Sequence, residues 1–259
     1  MYNTILGFSI YNILFYFVIY SFIGWCTEVA YAFYNQRKFV NRGFLNGPFC
    51  PIYGFGSLIL IVFLNPFKSN ILLLFILSLL LTSLLEYITG YILETIFNTR
   101  WWDYRDNAFN IKGRVCLSFS VMWGVVSIFL IKVLHPPVEN FINNLPSIYG
   151  IILFYIFIIY FIIDFSATLM SLIEFKNIII QLDEISNEIK DKYSFIKDKA
   201  KDKAEEIEIS IKELKSKHDN IMNNIKFKHK RLLSAFPDVS SKNFDSIIKE
   251  IQNKIKIKK

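Results

Sequence analysis

The sequence predicts an all-α, polytopic helical membrane protein with about five transmembrane helices and a long cytoplasmic C-terminal helix or coiled coil. Three observations carry this. Of its 259 residues 53% are hydrophobic and 17% aromatic, with a mean hydropathy of +0.37, too apolar for an ordinary soluble domain. Several apolar runs approach the roughly 20 residues needed to cross a bilayer. The charge is also uneven: residues 1–175 hold 9 basic and 8 acidic side chains, and residues 176–259 hold 20 and 14, so most of the net +7 belongs to the tail. The chain therefore divides into a transmembrane domain, 1–175, and a cytoplasmic helical or coiled-coil tail, 176–259.

The first span covers about 5–34 and carries one charge, Glu28. Gly24, Glu28 and Ala32 recur every fourth residue, which puts an acid between two small residues on one helical stripe that should face protein. The following NQRKFVNRGFLNGPFCPIYGFG, Asn35 to Gly56, is broken by prolines and glycines into a structured loop, either a surface turn or partly re-entrant. The second span, about 52–67, reaches only roughly 24 Å as a helix. Asn65 and Pro66 end it.

The third span, about 70–98, repeats the stripe with Glu86, Gly90 and Glu94. A loop from Thr99 to Val115 mixes aromatic side chains suited to a headgroup region, Trp101, Trp102 and Tyr104, with basic and acidic ones. The fourth span, about 116–134, is expected to stop at His135, Pro136 and Pro137, and the fifth, about 148–175, holds a lone Asp164.

Lys and Arg alternate across the loops: none before the first span, three after it, Lys68 alone next, four in the third loop, and Lys132 alone near the fourth span. The positive-inside rule then places the protein in the cell membrane with its N-terminus outside and its C-terminus in the cytoplasm. In the tail Ile207, Ile211, Leu214, His218, Ile221 and Ile225 step by four and three, predicting an amphipathic helix from about 177 to 235. Pro237 should stop it, and Ser240 or Ser241 can cap a last helix over 243–254. One narrow apolar stripe needs a partner, so a second copy or a partner helix is expected on the coil.

A charge at bilayer depth is costly, so the acids should face the bundle interior, a wet cavity or a basic partner. Glu28, Glu86, Glu94 and Asp164, with Arg42, Arg100, Arg114 and Asp103, are the candidate site residues. Two readings stand for them: a translocation or gating path, or structural ion pairs. The sequence lacks a phosphate-binding P-loop, HExxH, CxxC and GxSxG, and its cysteines, Cys26, Cys50 and Cys116, are few and scattered. No catalytic residue, metal, cofactor or nucleic-acid partner is therefore expected, membrane lipid aside, and the protein is not expected to be an enzyme.

The segments GWCTEVAY (Gly24 to Tyr31), FVNRGFLNGPFCPIYGFG (Phe39 to Gly56), EYITGYILE (Glu86 to Glu94), RWWDYRDNAFNIKGRVCLSFSVMWG (Arg100 to Gly124) and RLLSAFPD (Arg231 to Asp238) resemble the bacterial family called putative ABC-transporter type IV, or CmpB-like putative ABC-transporter permease. The resemblance covers about residues 10–175. It implies a multi-pass inner-membrane protein of the permease kind, serving an unidentified substrate and working with a separate cytoplasmic ATPase subunit or as an oligomer. The alternative is a non-transporting membrane scaffold or regulator that recruits a partner through its coil.

Overall fold

The computed structural model describes residues 4–5, 7–199, 204–236, 239–241 and 243–257. A small hairpin, β1 (Thr4–Ile5) and β2 (Phe8–Ser9), leads into α1 (Ile10–Gln36). The Ser9 side chain accepts the Asn12 N–H at 3.1 Å, which starts the helix, and Arg37 in the left-handed conformation closes it. The same devices bound α3 (Ile71–Phe97), where Asn70 accepts the Leu73 N–H at 3.1 Å and Asn98 is left-handed. Both helices have 27 residues, about 40 Å at 1.5 Å per residue, enough to cross a hydrocarbon core of about 30 Å.

Each long helix is followed by a loop that turns back along it and a shorter helix that begins at a cysteine. Cys50 precedes α2 (Pro51–Leu64) and Cys116 precedes α4 (Leu117–Phe129). The Cys50 N–H donates to the Ser21 carbonyl at 2.9 Å, near the middle of α1. α2 therefore starts halfway along its neighbour. Gly24 faces the Tyr53 ring and Gly54 packs on Ser21 and Phe17, so closely that a Cβ would collide at either position. In the second unit the Ser83 hydroxyl reaches Ser120 at 2.7 Å, and Gly124 packs on Phe75. One plan, a long capped helix with an acid, a returning loop with an arginine and a short antiparallel helix, is thus laid down twice.

Four segments are long and apolar enough to cross a membrane: Ile10–Gln36, Ile71–Phe97, Leu117–Asn143 and Ile148–Ile196. The stretch Pro51–Phe67 is apolar but shorter. Its helix α2 has 14 residues, about 21 Å, so the loop before it makes up part of the return path. Non-helical backbone in such a place is tolerated where protein satisfies its N–H and C=O groups, as the Asp164 carboxylate does for the N–H groups of Asn46 and Gly47.

At the expected stop, His135, the helix continues. A π-helical turn, Leu130–Leu134, links α4 to α5 (His135–Asn143), and the His135 N–H bonds the Leu130 carbonyl. Pro136 and Pro137 fall in the first turn of α5, where a missing N–H costs little, so the helix continues. α6 (Ser147–Lys199) has 53 residues and runs parallel to α1, with rings of Tyr11 and Phe154, Phe15 and Phe157, and Phe17 and Phe161 in contact at 6.3, 6.2 and 5.2 Å. It passes without a break through the position at which membrane domain and tail were expected to divide.

The single helix expected over 177–235 is divided among the described residues. α7 (Ala204–Asn223) returns antiparallel to the end of α6, with the Lys215 amine on the Tyr193 hydroxyl at 2.8 Å, and α8 (Phe227–Ala235) and α9 (Asp245–Ile257) follow. Leu172, Phe175, Ile179 and Leu182 of α6 pack with Met222, Ile225, Leu232, Ile248 and Ile251 in the largest buried cluster, and Ile211 is buried as well. The apolar stripe of the tail is therefore satisfied by its own chain. Pro237, expected to end the tail helix, lies outside the described residues. Ser241 accepts the Phe244 N–H at 3.3 Å just before α9.

Candidate functional site

The site is the end of the bundle where α1 and α3 stop, the two loops turn inward, and the tail docks. In the first loop Arg42 lies 3.0 Å from Glu28, an ion pair whose Nε–H is not aligned as a hydrogen bond. The other Glu28 oxygen accepts the Tyr53 hydroxyl at 2.7 Å. Asn41 shapes the turn, its oxygen accepting the Trp25 indole and the Gly43 N–H at 2.8 and 2.9 Å while its amide donates to the Asn46 carbonyl at 2.8 Å.

Asp164 of α6 faces that loop. Its carboxylate accepts the backbone N–H groups of Asn46 and Gly47, each at 2.9 Å, and the Tyr160 hydroxyl at 3.0 Å, with Thr168 at 3.5 Å. Asp164 is buried, and among the described residues no base pairs with it directly. Its charge is offset by these donors, the arrangement that lets a carboxylate cap irregular backbone.

The second loop contains a short hairpin, β3 (Asn110–Ile111) with β4 (Val115–Cys116), turning through Lys112 and Gly113 at positive φ. It presents Arg114 to α3. Arg114 donates to one Glu94 oxygen from Nε and Nη2 at 3.1 and 2.7 Å, and Arg100 donates to the other from Nε at 2.9 Å. The guanidinium of Arg114 also covers the rings of Tyr87 and Tyr91 at 5.2 and 5.3 Å. Asp103 takes Arg105 at 3.0 and 2.7 Å; burial opposes its charge, but the guanidinium holds its carboxyl below the usual range.

Glu86 is different. One oxygen accepts the Tyr104 hydroxyl at 3.1 Å, and the other is buried with no hydrogen-bond partner among the described residues. Tyr104 stacks on Phe119 at 4.7 Å, and its hydroxyl also feels the charge of Glu28, so acidic groups of both units share one neighbourhood. The counter-charges anticipated in sequence thus come together at Glu28 and Glu94 but not at Glu86.

The tail closes this end. Arg231 donates to the Gly43 and Phe44 carbonyls at 2.9 and 3.4 Å, and burial lowers the pKa of its guanidinium. Arg100 and Ser240 exchange backbone hydrogen bonds at 2.8 and 3.0 Å, Ser241 donates to the Asn98 carbonyl at 2.6 Å, and Lys176 caps α3 at the Ile96 carbonyl at 2.9 Å. Trp101, expected in an interfacial belt, is instead buried against Phe236 at 4.9 Å. Sequence reading missed Arg231 and Tyr53 as site residues, and placed Tyr104 only in the belt. It also missed Tyr160 and Thr168, although their i, i+4 spacing about Asp164 was a signal in plain view.

Among the described residues no group of three or more His, Cys, Asp or Glu side chains is placed to hold a metal ion. The arrangement can fix two inward loops against long helices and hold one deep carboxyl apart from any base. Long apolar helices whose polar groups are paired inward, around loops that return between them, define a multi-pass helical membrane protein. The chain belongs to the family described as "Putative ABC-transporter type IV", whose model matches residues 15–169. No curated protein and no solved structure matches it.

Proposed function

We propose that the chain is the membrane permease subunit of an ABC-type transport system and moves an unidentified substrate. One observation carries the reading: among the described residues Glu86, near the middle of α3, is held without a base, whereas Glu28, Glu94 and Asp103 are each locked to an arginine. A deep acid in a spanning helix is costly and is retained where it serves a path or a moving element. The paired acids fix the loops that frame it. A separate cytoplasmic ATPase is the expected partner, and the tail, bonded to both loops, is the element through which it would act.

Glu86→Gln preserves shape while removing the charge. It is expected to assemble at normal levels and to reduce flux at least about 10-fold, the scale of one lost interaction of roughly 1.4 kcal/mol in a rate-limiting state. Uptake, efflux and growth phenotypes that stay unchanged in cells carrying this variant would sink the proposal. A non-transporting regulator is the competing reading, supported by the tail's bonds to both loops; it predicts that loss of the partner, not of Glu86, abolishes the phenotype.

The orientation proposed with this function has the N-terminus outside and the C-terminus in the cytoplasm of the cell membrane. Reporter domains fused after Asn70 and Ser147 are expected to read outside, and those after Arg42, Asn107 and Lys190 inside. An inside signal after Asn70 would mean that loop and α2 together fail to return the chain.

A further inference from the structure

We propose that Glu86 is a proton-binding site, carrying its proton as a neutral carboxylic acid when Tyr104 is docked against it. This deepens the role given to Glu86 above by naming its ligand, and rests on that reading only for its consequence in transport. The geometry is that of a carboxyl group with one hydrogen bond and one buried, unpartnered oxygen. An ionised carboxylate in that position would bury charge with a single donor, whereas the neutral acid buries only a dipole and can share one hydrogen bond with the phenol.

The surrounding groups support the same assignment. On its own helix, Tyr87 and Glu94 are engaged by Arg114, and Tyr91 lies under the same guanidinium. The second loop offers Tyr104, and of its bases Arg100 and Arg114 are spent on Glu94, Arg105 on Asp103, and Lys112 is exposed. α4 carries no titratable side chain. From the first unit come Glu28 and Tyr53, already bonded to each other, and Glu28 adds negative charge to the neighbourhood of Tyr104. The Tyr104 hydroxyl, donating to the acid, eases ionisation, but among the described residues no unspent base does, and burial with one oxygen unpartnered favours proton retention. Losing the proton would leave a charge that the docked loop cannot balance, so proton release is tied to movement of Tyr104 or to entry of a cation.

The test uses the full chain in lipid vesicles. Infrared spectra recorded as a function of pH should show a protonated carboxyl C=O band at neutral pH that disappears at high pH and is absent from E86Q. Separately, dicyclohexylcarbodiimide should modify Glu86 of the wild-type protein, located by fragment masses. In that reaction the acid proton moves to a carbodiimide nitrogen and the carboxyl oxygen bonds the central carbon, an addition with no leaving group. Modification should favour Glu86 over Glu28 and Glu94, and should fall about 10-fold per pH unit once the proton is lost. A carboxylate signal for Glu86 at neutral pH overturns the proposal whether or not the reagent reaches it. That result together with lost flux in E86Q would leave the transport reading standing, and a protonated band with unchanged flux would do the reverse.

Discussion

Replacing Glu94 by Gln is expected to destabilise the solubilised protein by about 3 kcal/mol, the cost of leaving partly buried ionic partners without their counter-charge. One carboxylate receives both arginines of the second loop, and the Arg114 side chain is only 13% exposed. In the variant Arg114 keeps its charge without a counter-charge: the one remaining amide oxygen must serve two arginines, and beyond it Arg114 has the Tyr87 hydroxyl and the faces of Tyr87 and Tyr91. Arg100 also loses its carboxylate, but at 25% exposure it can turn towards water, so it adds less. Thermal unfolding of the variant in detergent measures the loss, and adding Arg114→Gln should recover part of it, because the second change removes the orphaned charge. An E94Q protein that unfolds with the wild type would show that the pair contributes nothing to holding the loop.

The second large effect is expected at Asp164. Asp164→Ala removes the acceptor of two backbone N–H groups, Asn46 and Gly47, and of the Tyr160 hydroxyl. Orphaned donors cost about 1–3 kcal/mol each, so the two backbone N–H groups alone set an expected loss of about 2–6 kcal/mol, concentrated in the first loop. Asp164→Asn keeps one carbonyl oxygen but turns an NH₂ towards a backbone N–H, and should cost almost as much. Cys50, buried four residues from that loop's own Asn46, reports the outcome. In the wild type it should resist thiol reagents, and in D164A it should label while Cys116 stays protected. A Cys50 that remains protected in D164A would show that Arg231 and the packing of α2 hold the loop without the clamp.

The proton site and the two clamps were unequally legible. Apolar runs and their stripes mark α1, α3 and α6 because membrane helices need length and hydropathy, both of which are local. The four-residue steps from Gly24 to Glu28 and from Gly90 to Glu94 place acids on protein-facing stripes for the same reason. The pairing of Arg42 with Glu28 is near in sequence and was within reach. Arg231 is not: its contacts with Gly43 and Phe44 span almost the whole chain, and nothing in RLLSAFPD says that a tail helix will fold back on a loop.

By itself the sequence determined an all-α membrane chain, its long apolar helices and the helical stripes that carry its acids, since each follows from composition and spacing along one helix. Only the tertiary structure decided that α2 begins beside Ser21, that the helix continues through Pro136 and Pro137 instead of ending there, and that the tail stripe is covered by α6. It alone decided which acids receive a base. Those outcomes depend on which surfaces meet, and a carboxylate's partner is set by a few ångströms of approach between segments far apart in the chain, which no local period encodes.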